Sequence, residues 1–225
     1  INDRPFNFDG TGPSPDGGAA LVFDFPVDLT QDPVTYSDAS TTSLFYIVNI
    51  LHDIHYEYGF DEASGNFQLN NYGNGGVGND QVIALSQAGA GTGSPFFLNN
   101  AFFTPTPEGV APFIAMFEWN TTTPNSDGSF ENSIIVHEYG HGVSTRLTGG
   151  PANGNGLNAL QSGGMGEGWS DFWALAFSQE IGDSAADRRT VGNFVLGETT
   201  AGAGIRRFPY SFDMTINPQT FDDYN

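Results

Sequence analysis

The sequence predicts an α+β fold, with a strand-rich first part followed by helices. Three observations carry that reading. Residues 60–130 hold short apolar runs between glycine-rich turns, and residues 40–58 repeat apolar side chains at helical spacing. Two further helical patterns follow at 131–146 and 164–180. A division at residue 130 gives a strand-rich N-terminal subdomain (1–130) with one long helix near 40–58, then a helical part (131–225).

In chain order, residues 1–38 are rich in Pro, Gly and Asp, with one alternating apolar piece, LVFDFPV (Leu21 to Val27), that predicts a strand. In STTSLFYIVNILHDIHYEY, Leu44, Ile47, Val48, Leu51, Ile54 and Tyr58 form one helical stripe. Ser40 or Thr41 is the expected N-cap and Gly59 the stop. VIALS, FFLNNAFF and APFIAMFEW then read as strands, separated by GNGGVGND, AGAGTGSP and TPTPEG as turns. After the two helical patterns the last 45 residues read as loops and short pieces, with no internal repeat.

Composition bounds the chemistry. With 38% apolar and 14% aromatic residues in a chain of 225, there is enough to build a packed core. The 26 acidic against 6 basic side chains give a net charge of −20, which predicts repulsion from nucleic acid and from anionic membrane surfaces. No apolar run reaches the roughly 18 residues of a membrane-spanning helix. There is no cysteine, so a metal bound by this chain must be held by His and carboxylate. The start, Ile1-Asn2-Asp3, reads as a mature, processed end.

The informative stretch is IIVHEYGH, Ile134 to His141. On a helix, residues i and i+4 stand on one face, so His137 and His141 can occupy two corners of a tetrahedral zinc site. Glu138 lies about 100° round the helix, placed to act on a water without being a ligand. Gly140 and Gly142 weaken the helix by about 1 kcal/mol each relative to Ala, and leave room for close packing. The next helix, in MGEGWSDFWALAF, supplies carboxylates at i and i+4, Glu167 and Asp171, among Trp169, Phe172, Trp173, Leu175 and Phe177. A carboxylate amid that much apolar surface is costly unless paired or metal-bound. Glu167 fits a third ligand, and Asp171 fits an acceptor that orients a ligand imidazole. His52 and His55 fit an ordinary amphipathic helix better than a metal site. Glu180, Asp183 and Asp187 lack the closely spaced acidic loop of a strong calcium site, so calcium stays unassigned.

HEYGHGVSTRLTGG followed by GGMGEGWSDFWA resembles the fungalysin family of secreted fungal zinc metallopeptidases, relatives of thermolysin. The likeness extends to HDIHYEYGFDEASGNFQLNNYGNGG and NNAFFTPTPEG, and so covers most of residues 40–180. It implies a thermolysin-like zincin with a twisted sheet ahead of the active-site helices. His137, His141 and Glu167 would be ligands of one zinc ion, Glu138 the general base and Asp171 the carboxylate behind a ligand. Asn100 and Ala101 fall in the segment that pairs with substrate backbone in such enzymes. Arg206, slightly favoured over Arg207, falls where they keep an arginine for a substrate carbonyl.

The expected activity is secreted, extracellular endopeptidase action on proteins or peptides, in an enzyme made with an inhibitory N-terminal propeptide. The alternatives are a degenerate, non-catalytic zincin-like binding module and an exopeptidase on the same scaffold. Thermolysin-like enzymes also carry a downstream oxyanion-stabilising His, and no His follows His141 here. The sequence therefore reads as the first part of a cut or separately encoded catalytic unit, lacking its second helical half. A second polypeptide or a cleaved continuation is expected to complete it.

Overall fold

A computed structural model describes residues 14–224. Residues 22–29 form neither helix nor strand. The expected strand at Leu21–Val27 is absent: Gly17 and Gly18 start a turn that carries Leu21 to φ 51°, Pro26 removes a donor, and no partner strand lies alongside among the described residues. Leu21, Val22, Phe23 and Val27 consequently stay exposed.

The first long helix starts earlier than its expected cap. Asp32 accepts a hydrogen bond from the Val34 N–H, Pro33 opens a 3₁₀ turn over Pro33–Tyr36, and α1 continues as Ser37–Glu57. Ser40 therefore lies inside the helix, fully buried. The stripe is there, with Leu44, Val48 and Leu51 in the core, but it closes on His55 and leaves Tyr58 exposed. Gly59, at φ 96°, ends the helix.

Five short strands follow: β1 (Ile83–Leu85), β2 (Ala101–Thr104), β3 (Phe113–Met116), β4 (Glu118–Trp119) and β5 (Ser126–Asp127). The main sheet has the order β1-β3-β2, with β1 parallel and β2 antiparallel to β3. Ile114, Ala115 and Met116 of the central strand have no exposure, whereas β2 is an edge. A second ladder pairs β4 with β5.

Helix α2 (Asn132–Leu147) opens on Glu131, whose side chain accepts from the Ser133 N–H, and 12 of its 16 residues are buried. That depth depends on the two glycines. A Cβ on Gly140 would sit 3.1 Å from the Ser170 Cα, and one on Gly142 would sit 2.5 Å from the Phe103 ring. Their absence lets α3 (Leu160–Phe177) and β2 close onto opposite sides of α2. At the far end Arg146, 1% exposed, forms an ion pair of 2.9 Å with fully buried Asp80. It also donates to the Thr106 and Gly65 carbonyls and stacks on Phe67, fastening α2 to the segment before β1 and the loop after β2.

Helix α3 buries only Gly166, Ser170, Asp171 and Ala174, all on the side facing α2 or the cleft. Trp169 and Phe172 remain 39% and 59% exposed, so this aromatic helix is covered on one side by the described residues. Beyond it, Arg189 and Tyr210 pair as an isolated antiparallel bridge, and the one-turn helix α4 (Asn193–Leu196) docks its Phe194 N–H on Glu131. The main core cluster draws on residues from α1, the sheet, α2, α3 and α4, and a smaller one gathers Ala88, Ala115 and Phe117.

Candidate metal centre and cleft

The packing of α2 on α3 builds the site. His137 and His141, one turn apart on α2, bring their Nε2 atoms to 3.0 Å of each other. From α3, Glu167 places one oxygen 3.3 Å from His137 Nε2 and the other 3.4 Å from His141 Nε2. Behind His137, the Nδ1–H donates to Asp171 Oδ1 at 2.6 Å, which assigns the proton to Nδ1 and leaves the Nε2 lone pair pointing into the group.

The donor set fits zinc. Ligand atoms about 2.0–2.1 Å from a tetrahedral zinc ion lie about 3.3 Å from one another; here the two Nε2 atoms are 3.0 Å apart and each has a different Glu167 oxygen at 3.3 or 3.4 Å. Among the described residues His137, His141 and Glu167 are the group of ligand atoms gathered closely enough for this. Two imidazoles and a carboxylate with no thiolate are zinc-type donors.

Electrostatics follow from crowding five carboxyl and imidazole groups around one arginine. Burial pulls the His141 pKa down to about 4, helped by His137, so its ring is neutral. Burial also opposes a charge on His137, but the hydrogen bonds to Asp171 and Glu167 outweigh it and lift its pKa to about 9. The lone pair that draws a proton so strongly is the one a cation would take. Burial pushes Glu138 up to about 7, against the pull of His137, a Phe103 backbone hydrogen bond and Arg206. A divalent cation nearby would draw that value down again. The hydrogen bond with His137 keeps Glu167 below its usual range. Burial alone would raise Asp171, but bonds from His137, Arg206 and Tyr210 hold it far below the carboxylate range.

His137, Glu138, His141 and Glu167 line one side of a cleft of about 460 Å³, with Asn100 and the β2 residues Ala101 and Phe103 on the other. The Phe103 backbone bonds Glu138, so its polar groups face away from β3. By the strand period of two, the backbone of Ala101 faces the cleft as well. Arg206 also lines the cleft and grips Asp171 with Nε at 2.6 Å and Nη2 at 2.7 Å. Arg207 instead turns over the ring of Phe208.

The other candidates are elsewhere. His52 spends its nitrogens on Asp53 and Gln68, and His55 lies buried between Tyr139, Trp173 and Phe177. Asp183 bonds the Glu180 N–H and Arg189, and Asp187 bonds the Ser184 N–H. Sequence reasoning missed Tyr210, whose hydroxyl donates to Asp171 Oδ2. Its only signal was a place in GIRRFPY, four residues after Arg206.

Comparison with known proteins agrees with this geometry. The family profile for fungalysin metallopeptidase (M36) matches residues 3–225. Extracellular metalloproteinase 1 of Phaeosphaeria nodorum is 48% identical over 204 residues, covering 90% of this chain and 31% of that protein. Extracellular metalloproteinase mep of Aspergillus fumigatus is 47% identical over 208 residues, 92% of this chain and 31% of that protein. Extracellular metalloproteinase 4 of Trichophyton tonsurans is 47% identical over 204 residues, 90% and 30% respectively. The chain thus spans about a third of the length of these relatives.

Proposed function

From the premise that the chain belongs to the fungalysin metallopeptidase family, we propose that it is the zinc-binding, water-activating part of a secreted endopeptidase. The observation that carries this reading is the convergence of His137, His141 and Glu167 on one point, on the helix that also carries Glu138. Those three residues would hold a zinc ion, which would supply Lewis acidity for a substrate carbonyl and a water.

The chain's own groups do the rest. Glu138, a carboxyl raised towards neutrality, takes the proton of the attacking water and hands it to the leaving amine. Asp171 holds the Nδ1 proton of His137 and so fixes which nitrogen is the ligand. The free edge of β2 at Asn100 and Ala101 aligns an extended peptide by backbone hydrogen bonds, which read little sequence. Arg206, anchored on Asp171, presents its remaining N–H groups to a substrate carbonyl. An edge strand and an open cleft accept the middle of a chain, which favours endo- over exopeptidase action. The complete ligand set argues against a degenerate, non-catalytic module. Secretion is supported by relatives named extracellular. A propeptide inhibitor before maturation is part of the family likeness.

The exposed side of α3, with Met165, Trp169 and Phe172, is more apolar surface than a free helix face normally shows. We infer that further polypeptide, a continuation of this chain or a second one, packs there and brings the oxyanion-stabilising group. The test is Glu138→Gln in the complete polypeptide. It should keep one zinc per molecule and the native melting temperature, while casein hydrolysis falls about 10²–10⁴-fold. Hydrolysis at the original rate would remove Glu138 as the base.

A further inference from the structure

We propose that Tyr210 is a positioning residue of the metal centre: its hydroxyl, placed by a loop anchored through Arg189, fixes Asp171 and through it the His137 imidazole. The proposal rests on the zinc reading above. Asp171 is 2% exposed and each of its oxygens accepts two hydrogen bonds. Oδ1 takes the His137 Nδ1–H at 2.6 Å and Arg206 Nη2–H at 2.7 Å. Oδ2 takes Arg206 Nε–H at 2.6 Å and the Tyr210 hydroxyl. That matches the roughly four acceptor positions of a carboxylate.

The donors differ in where they stand. Arg206 is on the cleft wall, its side chain 31% exposed, where an incoming substrate can engage it. Tyr210 does not line the cleft, so its hydroxyl reaches Oδ2 without touching the substrate space. It is the donor to Oδ2 that has no share in the cleft wall.

Tyr210 is itself held by α3. Its backbone N–H donates to the Arg189 carbonyl at 2.7 Å, and the Arg189 N–H donates back at 2.9 Å. The Arg189 guanidinium caps the end of α3, donating to the carbonyls of Leu175 at 3.3 Å and Ser178 at 2.8 Å, and pairs with Asp183. Leu175 is one turn beyond Asp171. The helix that carries the carboxylate thus also seats the loop that pins it, a closed circuit from α3 through Arg189 and Tyr210 back to Asp171.

The test uses Tyr210→Phe in the complete polypeptide, which keeps the ring and removes one donor. Three quantities are read: zinc release to a chelator, the visible absorption of the cobalt(II)-substituted protein, and melting of the metal-free protein. Zinc retention should weaken about 10-fold and the cobalt bands should change, with metal-free melting unaltered. Arg189→Met, which cuts the anchor without touching Asp171, should change the cobalt bands in the same sense, and decides alone if Tyr210→Phe does not fold. Wild-type zinc retention and cobalt bands in Tyr210→Phe would overturn the proposal. So would a loss of retention matched by an equal loss of metal-free stability, which marks a general packing role. A wild type that takes up no zinc overturns the metal reading itself, a separately visible failure.

Discussion

Two helices of this chain carry a histidine pair within one turn, and the pairs lead different lives. On α1, His52 and His55 are three residues apart; on α2, His137 and His141 are four apart. Each α1 ring meets its partners separately: His52 bonds Asp53 and Gln68, while the His55 Nδ1–H bonds the Leu51 carbonyl at 2.7 Å inside an aromatic box. The α2 rings turn their Nε2 atoms to one point, because Asp171 takes the proton of one and Glu167 lies across from both. Spacing on a helix allows a pair to meet. The neighbouring helix decides whether the lone pairs stay free for a metal.

The largest effect that could break the comparison is loss of metal. His141→Ala removes one of three ligands and should leave less than stoichiometric zinc and no measurable protease activity. His52→Ala should retain one zinc per molecule, since its partners are Asp53 and Gln68. Metal analysis of the two purified variants, side by side, decides the matter; equal zinc contents would sink the distinction.

A smaller effect sharpens it. Asp171→Asn keeps an acceptor for the His137 Nδ1–H but removes the charge, and it loses at least one of the two Oδ2 bonds that a carboxylate oxygen accepts here. Changes behind a metal ligand cost about 10–100-fold in metal affinity or activity. A chelator titration should place the variant in that range, between wild type and His141→Ala. Zinc retention equal to wild type would mean that Asp171 does not act through His137.

The site was more legible in the sequence than the frame around it. His137, Glu138, His141, Glu167 and Asp171 announce themselves because one helical turn fixes which side chains are neighbours. The placement of Arg206 and Tyr210 depends on a loop whose course is set by the Arg189 guanidinium on the end of α3, and no local period encodes that. Arg146 and Asp80 are 66 residues apart and form a buried pair that composition alone would assign to the surface. Alternation misled at Leu21–Val27, because a strand needs a partner edge as well as a pattern. The start of α1 was misplaced because Asp32 and Pro33 initiate it through a 3₁₀ turn upstream of the amphipathic stripe.

The smallest predicted effect belongs to the other histidine pair, and it concerns stability instead of metal. His55 is 4% exposed, and its pKa is lowered first by burial and further by His52, with the Leu51 carbonyl opposing. Among the described residues its Nε2 has no hydrogen-bond partner, so a proton there would be buried without an acceptor. For a base whose folded pKa lies below its unfolded value, the unfolded chain binds more protons, so stability is intact above the unfolded pKa of 6.5 and falls as pH drops below it. One such group contributes a slope of at most about 1.4 kcal/mol per pH unit. His55→Phe fits the box formed by Tyr139, Trp173 and Phe177 and cannot take up a proton. Its unfolding free energy, measured by denaturant titration of the metal-free protein from pH 7.5 to 5, should fall less steeply than that of wild type below about pH 6.5. The same slope in both proteins would show that His55 titrates freely in the fold and that its box is no barrier to a proton.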